Sequence, residues 1–450
     1  MKLRVYIETF GCQMNVADSE RAATGLRKAG YELCESAENA DVVLLNTCSV
    51  RERAEQKALT RIGEIRTARA GDHTLTVGVM GCVAQLEGES IFERGTAVNI
   101  VIGTRATDRI PSLIERARSG ERKVSDLGER AELESWDVSP VERHSPHVGF
   151  VPIIEGCNKF CSFCIVPYSR GREKSRGASE IIAEVEKLRS LGYKEVHLIG
   201  QNVNSYRPRT ESGLEGFVGA TPFCRLLRAV AGTGIPRVKF TTSFPRDFHP
   251  DIVSAIEENP NLCDWIHLPV QSGSDRVLKW MRRGHKRADY LESIDRIKNS
   301  RRRLALTSDI IVGFPGETDD DFRQTIELVE QCRYDGLYLF KYSKRPGTPA
   351  AALADDVPEK EKTARFLEVE RVQRKAQEEV YGAYVGRRLS VLAERQSTRS
   401  SSDLVGHSTC HKVVNFPGAG RFEGEIVDVL VTEAKINSLY GMTVNSSALA

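Results

Sequence analysis

The sequence predicts an α/β chain in three parts: an amino-terminal parallel-sheet α/β domain, a central partial (βα)6 barrel and a small carboxyl-terminal β-barrel. Three observations predict it. Three early β-rich runs each end at a cysteine, at intervals close to one strand-helix-strand unit. Strand and helix patterns then restart near Gly149 and alternate through six repeats to Tyr342. The tail beyond Tyr384 carries only short strand patterns. Boundaries are expected at 1–142, 143–380 and 383–448.

A chain of 450 residues is long enough for two or three domains, each burying its own core. The net charge of +2 does not by itself announce a nucleic-acid partner. The opening Met-Lys-Leu-Arg-Val-Tyr-Ile-Glu-Thr-Phe has too short an apolar run for a secretory signal, and no stretch approaches membrane-spanning length. The expectation is a cytoplasmic protein without a membrane partner. The eleven cysteines then point to a reducing compartment, where clustered thiols more often bind metal than pair.

In the first part, Leu3 to Thr9, Asp41 to Thr47 and Thr74 to Met80 read as buried parallel strands. Ala17 to Ala29 and Glu52 to Thr67 read as helices. The strands end at Cys12, Cys48 and Cys82, which are 36 and 34 residues apart. Residues just beyond the carboxyl ends of parallel strands share one edge, where such folds bind ligands. The three thiols are therefore expected to be neighbours in space, with a fourth coordination position open.

The second part offers Phe150 to Ile154, Glu195 to Ile199, Arg237 to Thr242, Trp265 to Pro269, Leu304 to Gly313 and Gly336 to Tyr342 as strands. A βα barrel places its active site at the carboxyl ends of its strands. A run of Cys157, Cys161 and Cys164, spaced CxxxCxxC, follows the first of them. Iron–sulfur clusters normally take four thiolates, so three leave one iron free for a reacting ligand. The other reading is a zinc site of three thiolates and a histidine, in an RNA-binding protein without catalysis; no histidine lies at ligand spacing. Cys34, Cys224, Cys263, Cys332 and Cys410 read as buried structural thiols.

The third part begins with a charged helical segment from Pro358 to about Tyr384. Strands follow at Arg388 to Ala393, Lys412 to Phe416, Gly424 to Val431 and Gly441 to Val444. Ser397 to Ser402 reads as an exposed low-complexity loop.

CxxxCxxC after the first strand of such a barrel resembles the radical S-adenosylmethionine superfamily. Phe163 stands where members carry an aromatic residue near the adenine. Gly200-Gln201-Asn202 resembles the motif contacting the methionyl amino group, and Ile311-Val312-Gly313-Phe314-Pro315-Gly316-Glu317 the glycine-containing fifth-strand segment near the adenosine. With the amino-terminal triplet added, the chain resembles the methylthiotransferases, which set an auxiliary-cluster domain before the radical barrel and an RNA-binding TRAM barrel after it.

Phe10-Gly11-Cys12-Gln13-Met14-Asn15, Asn46-Thr47-Cys48-Ser49-Val50-Arg51-Glu52, Ala54-Glu55-Gln56-Lys57 and His411-Lys412-Val413-Val414-Asn415-Phe416 resemble the branch acting on dimethylallyl-modified adenosine. The branches acting on threonylcarbamoyladenosine or on a ribosomal-protein aspartate read Gly-Cys-Lys-Val-Asn and Gly-Cys-Pro-Lys-Asn at the first motif, and they are the alternatives. One departure from the family pattern is charge: the segment from Gly382 to Ala450 has seven Lys and Arg against six Asp and Glu.

The resemblance implies two [4Fe–4S] clusters, one on Cys157, Cys161 and Cys164 and one on Cys12, Cys48 and Cys82. It implies two S-adenosylmethionine molecules, methyl donor and radical source, and methylthiolation of carbon 2 of isopentenyladenosine next to the tRNA anticodon. That carbon has no leaving group and no acidic proton, so the cofactor carries the chemistry. Implied partners are tRNA with isopentenyladenosine in its anticodon loop, a flavodoxin- or ferredoxin-type electron donor and iron–sulfur assembly proteins, with the chain a monomer. By position alone, Ser243 and Gln271 are candidate cofactor contacts, and His267 reads as a pocket hydrogen-bonder. Arg170, Arg172 and Arg176, in the run after the cluster loop, are candidate contacts to the RNA backbone, against a solvated charged loop. The run from Arg282 to Arg287, with Arg301, Arg302 and Arg303 nearby in sequence, is a second basic segment balanced between the same two readings.

Overall fold

A computed structural model describes residues 2–49, 52–72, 74–94, 97–128, 136 and 138–444. Val50 and Arg51 lie outside them, as do the side chains of Glu52, Ala54 and Glu55. The chain forms two compact units. The first comprises residues 1–145, 155–158 and 164–173, and the second 146–154, 159–163 and 174–450.

The first unit is a six-stranded parallel sheet. Its order is Glu32–Leu33, Arg4–Thr9, Val42–Thr47, Thr76–Gly81, Ile100–Ile102 and Val124–Asp126. Val42–Thr47 and Thr76–Gly81 are buried along their whole length, as strands covered on both faces must be. Helices Gln13–Lys28 and Ile110–Arg118 belong to a core with Val5, Leu44, Met80 and Ile102. Ile62 and Ile65 of helix Glu52–Ala68 pack with Val43, Leu45, Val77 and Val79. The three strands that lead into the cysteines are adjacent in this sheet. Glu32–Leu33, Ile100–Ile102 and Val124–Asp126 were not foreseen, being only two or three residues long.

The second unit holds the partial barrel and the tail. Val148–Pro152, Glu195–Ile199 and Arg237–Phe240 form one parallel sheet, and Trp265–His267, Ala305–Val312 and Gly336–Lys341 another. A parallel bridge between Val238 and Leu262 joins them, so the six strands run in sequence with the first and last as edges. Alternation in the last two strands separates two faces. Leu306, Ile310, Val312, Leu337 and Leu339 belong to the core shared with the helices. Asp309 pairs with Tyr338 and Ile311 with Phe340, and these four turn to the inner face.

Helix Glu359–Gly382 leads into a closed five-stranded barrel of Arg388–Gln396, Asp403–Ser408, Val413–Pro417, Leu439–Thr443 and Ile426–Ala434. Its core includes Val391, Leu404, Phe416 and Val429, and it continues into Trp265 and Ala305 at the start of two central strands. There His411 stacks on Trp265 at 4.1 Å, Thr409 donates to Asp264 at 2.7 Å and Lys412 pairs with Asp335 at 2.6 Å. The barrel thus packs against the amino-terminal ends of the central strands, leaving their carboxyl ends to the candidate site. Among the described residues no helix is long and apolar enough to cross a membrane.

Candidate functional site

Cys12, Cys48 and Cys82 converge because their strands are neighbours in level register: Thr9 pairs with Asn46, and Thr47 with Gly81. Two glycines permit the close approach. Gly11, at φ 130°, lies where a Cβ would come within 2.4 Å of the Cys48 Cβ. Gly81, at φ 93°, would place one 2.4 Å from the Asn46 side-chain oxygen. Asn15 links the turns, accepting from the Cys12 thiol at 3.2 Å and donating to Asn46 at 3.0 Å and to the Thr47 carbonyl at 2.9 Å. Cys12 precedes the 16-residue helix Gln13–Lys28, whose N-terminal N–H groups favour negative charge. The hydrogen bond with Cys48 pulls the Cys12 thiol down to about 6, helped by the Arg170 guanidinium and by the backbone N–H groups of Asn15 and Met14. Burial pushes Cys82 up, against Arg170.

Of the loop cysteines, Cys157 and Cys164 belong to the first unit and Cys161 to the second. In the second unit, Ser162 is anchored twice, its N–H to the Met281 carbonyl at 3.0 Å and its hydroxyl to the Trp280 carbonyl at 2.7 Å. Arg283 is buried, donates to Cys161 Sγ at 3.4 Å and lies 4.3 Å over the Phe244 ring. Phe160 stands at φ 48°, a left-handed conformation that costs energy in a residue with a Cβ and concentrates at functional turns.

Among the described residues, no three or more His, Cys, Asp or Glu side chains converge as they would on a single metal ion. A four-iron cluster does not ask for that, because each thiolate binds a different iron. The donor chemistry fits such clusters: soft thiols in triplets, with a buried guanidinium acting on the Cys12 and Cys82 thiols and another bonded to Cys161.

Ser243 and Gln271 follow central strands at their carboxyl ends, and both are buried. Ser243 Oγ and Gln271 Oε1 have no hydrogen-bond partner among the described residues, nor has Thr241 Oγ1. Buried polar atoms are ordinarily paired, so this trio fits a polar ligand such as S-adenosylmethionine. Asn202 is buried, and Gly200 packs so closely that a Cβ would meet the Ile154 carbonyl oxygen at 2.7 Å. Gln201 beside them is half-buried. Phe163 packs against a buried cluster that includes Val277, Met281, Phe314 and Tyr342. Gly313, at φ 69°, donates its N–H to Glu317 at 2.6 Å.

His267 bonds Thr307 Oγ1 at 3.0 Å, lies 3.5 Å from Asp309, and is held below its usual range by burial. It is a satisfied, neutral histidine near pH 7. Beyond it the inner face carries Tyr338 and Phe340, 46% and 40% exposed, with the His267 and Tyr338 rings edge to face at 5.6 Å. These aromatics were not singled out in the sequence. The signal was there: Leu337, Tyr338, Leu339 and Phe340 are apolar without alternation, as in a strand with both faces to cover.

Two of the three arginines assigned to RNA are corrected. Arg170 is 2% exposed and pairs with Asp18 at 2.7 Å, with Glu155 at 3.5 Å. Arg176 is buried and pairs with Glu180 at 3.3 Å and with Glu184. Guanidiniums enclosed with carboxylates cannot reach a phosphate. Arg172 is exposed. The second basic run divides similarly: Arg283 is buried at Cys161, while Arg282 is exposed.

Comparisons with known proteins match each part separately. Residues 4–103 match the uncharacterized protein family UPF0004, residues 151–329 the radical SAM superfamily, and residues 382–444 the TRAM domain. A tRNA-2-methylthio-N(6)-dimethylallyladenosine synthase of Methylococcus capsulatus is 43% identical over 98% of this chain and 95% of its own. One of Solibacter usitatus is 43% identical over 97% of each. Among solved structures, the radical S-adenosylmethionine methyltransferase TsrM of Kitasatospora setae superposes with a TM-score of 0.55 at 14% identity, covering 78% of this chain and 74% of that one. That likeness is one of fold.

Proposed function

Because the chain belongs to the family of tRNA-2-methylthio-N(6)-dimethylallyladenosine synthases, we propose that it replaces the hydrogen on carbon 2 of isopentenyladenosine, next to the tRNA anticodon, with a methylthio group. The observation that carries this reading is the pairing of two three-thiol sets in one chain, the first at a sheet edge and the second on a barrel loop. Cys157, Cys161 and Cys164 hold one [4Fe–4S] cluster, and Cys12, Cys48 and Cys82 the other. When bound, S-adenosylmethionine supplies both the methyl group and the radical that an unactivated carbon requires.

Ser243 and Gln271 offer it their unpaired buried oxygens, beside Gly200, Gln201, Asn202 and Gly313, with Phe163 toward the adenine. Tyr338 and Phe340 provide an apolar wall suited to an isopentenyl group, and an unpaired anticodon-loop base needs little opening to reach it. Arg172 contacts the RNA backbone. The domains are 1–142, 143–380 and 383–448. The protein works in the cytoplasm as a monomer, fed by a flavodoxin- or ferredoxin-type donor and loaded by iron–sulfur assembly proteins.

Nucleoside mass spectrometry of tRNA from a strain lacking the chain tests this. Isopentenyladenosine should accumulate and its 2-methylthio derivative disappear. Persistence of the derivative, with loss instead from threonylcarbamoyladenosine or a ribosomal-protein aspartate, overturns it.

A further inference from the structure

Arg170 follows the second cysteine set in sequence, yet its side chain lies inside the first unit beside the other set. Its Nη2 bonds Asp18 at 2.7 Å and lies 3.5 Å from Asn15 Oδ1, the same oxygen that accepts from the Cys12 thiol at 3.2 Å. The backbone on either side is clamped. Arg105 Nη2 donates to the Arg170 carbonyl at 2.6 Å and lies 3.3 Å from that of Arg172, and Thr104 donates to the Ser169 carbonyl at 2.8 Å. Gly171, at φ 71°, leaves room for Arg105, whose Nη2 would lie 2.1 Å from a Cβ there. The Gly171 carbonyl then accepts the Cys157 N–H at 3.1 Å. One short clamped stretch therefore points a guanidinium at the first thiol set and a carbonyl at the first cysteine of the second.

A buried cation is costly to enclose; of the two carboxylates beside Arg170, Glu155 lies at 3.5 Å and Asp18, at 2.7 Å, is shared with Arg21 at 2.6 Å. In a low-dielectric interior such a charge acts strongly on nearby electron density, and cluster potentials follow net charge and the contacts of the sulfurs. We propose that Arg170 is a positioning residue whose fixed positive charge raises the reduction potential of the cluster on Cys12, Cys48 and Cys82, and whose clamped backbone ties that cluster to Cys157. The inference rests on reading those three cysteines as cluster ligands.

The test uses the full-length chain with Cys157, Cys161 and Cys164 changed to alanine, reconstituted with iron and sulfide and titrated spectroelectrochemically. The parent should hold about four iron atoms. Arg170→Gln should shift the reduced-to-oxidised ratio at a fixed applied potential at least tenfold toward oxidised, which for one electron is about 59 mV. Arg170→Lys should restore most of it, and Asp18→Asn, which removes a negative charge, should shift it the opposite way. A merely structural arginine would change iron content without these opposed shifts. Equal potentials in iron-loaded variants overturn the proposal. If Arg170→Gln does not retain iron, the Lys and Asp18→Asn variants decide on the same terms. A parent without iron overturns instead the assignment of the three cysteines.

Discussion

The two cysteine sets are assembled in opposite ways. Cys157, Cys161 and Cys164 come from one loop of eight residues, so their proximity is written into the spacing and needs only that loop to be held. Cys12, Cys48 and Cys82 come from three adjacent strand ends and meet only when the whole parallel sheet is in register. Each set nonetheless has a buried guanidinium, Arg170 for the first and Arg283 for the loop, drawn from a basic run distant from it or after it in sequence. The lesson is that a positive run near a cysteine motif need not face RNA. Of its buried members, Arg170 and Arg283 lie beside thiol sets while Arg176 pairs with carboxylates, and its exposed members remain for a partner.

The largest expected effects come from breaking one set at a time. Cys161→Ala should bring deoxyadenosine formation to background and, with it, the methylthio product, while the amino-terminal set still holds about four iron atoms. Cys48→Ala should keep deoxyadenosine formation and stop sulfur insertion. Chromatographic quantification of both products reads the difference. Methylthio product sustained by Cys48→Ala would mean the sheet-edge set is dispensable and the two sites are not a functional pair.

The same contrast explains what could be read from residues alone. Six central strands and their order followed from alternating strand and helix patterns, and the loop motif from spacing. The sheet-edge set followed from a cysteine after each strand. What escaped depended on contacts far apart in sequence or on strands without an apolar signature. Arg170 reads as a candidate RNA contact or a solvated charge because its partner Asp18 is 152 residues away. Strand Asp403–Ser408 turns Leu404, Gly406 and Ser408 inward, so two of its three buried positions are not apolar and the period of two is hidden. Gly406 is there because a Cβ would fall 1.8 Å from the Leu392 carbonyl oxygen, a constraint of barrel closure.

Acid should also tell the two sets apart, because a shifted histidine stands beside the loop's guanidinium. His285 donates from Nδ1 to the Arg283 carbonyl at 3.2 Å and packs near Phe244 and Tyr290. Burial first, then the Arg283 charge, lowers it from 6.5 to about 4. The unfolded chain therefore takes up the proton first as pH falls. Stability is full above the unfolded value, declines from pH 6.5 to about 4, and is flat below, with a total loss of about 3 kcal/mol from this group. Denaturant midpoints of the metal-free protein should fall across that window, and His285→Asn, which keeps a donor for the Arg283 carbonyl, should flatten the decline. An unchanged slope in the variant would place the acid sensitivity elsewhere.

The smallest effect should come from the exposed member of the first basic run. Arg172 lies two residues from buried Arg170 and four from buried Arg176, and it alone of the three is exposed. If it neutralises one phosphate, Arg172→Ala should weaken tRNA binding evenly across sequences and reduce the slope of log affinity against log salt by about 1. Arg176→Ala should leave that slope alone and lower stability, because it strands Glu184 inside the fold. Filter binding over a salt series separates them. A slope unchanged by Arg172→Ala would make the whole run structural, and RNA contact would then pass to the exposed part of the second run, at Arg282.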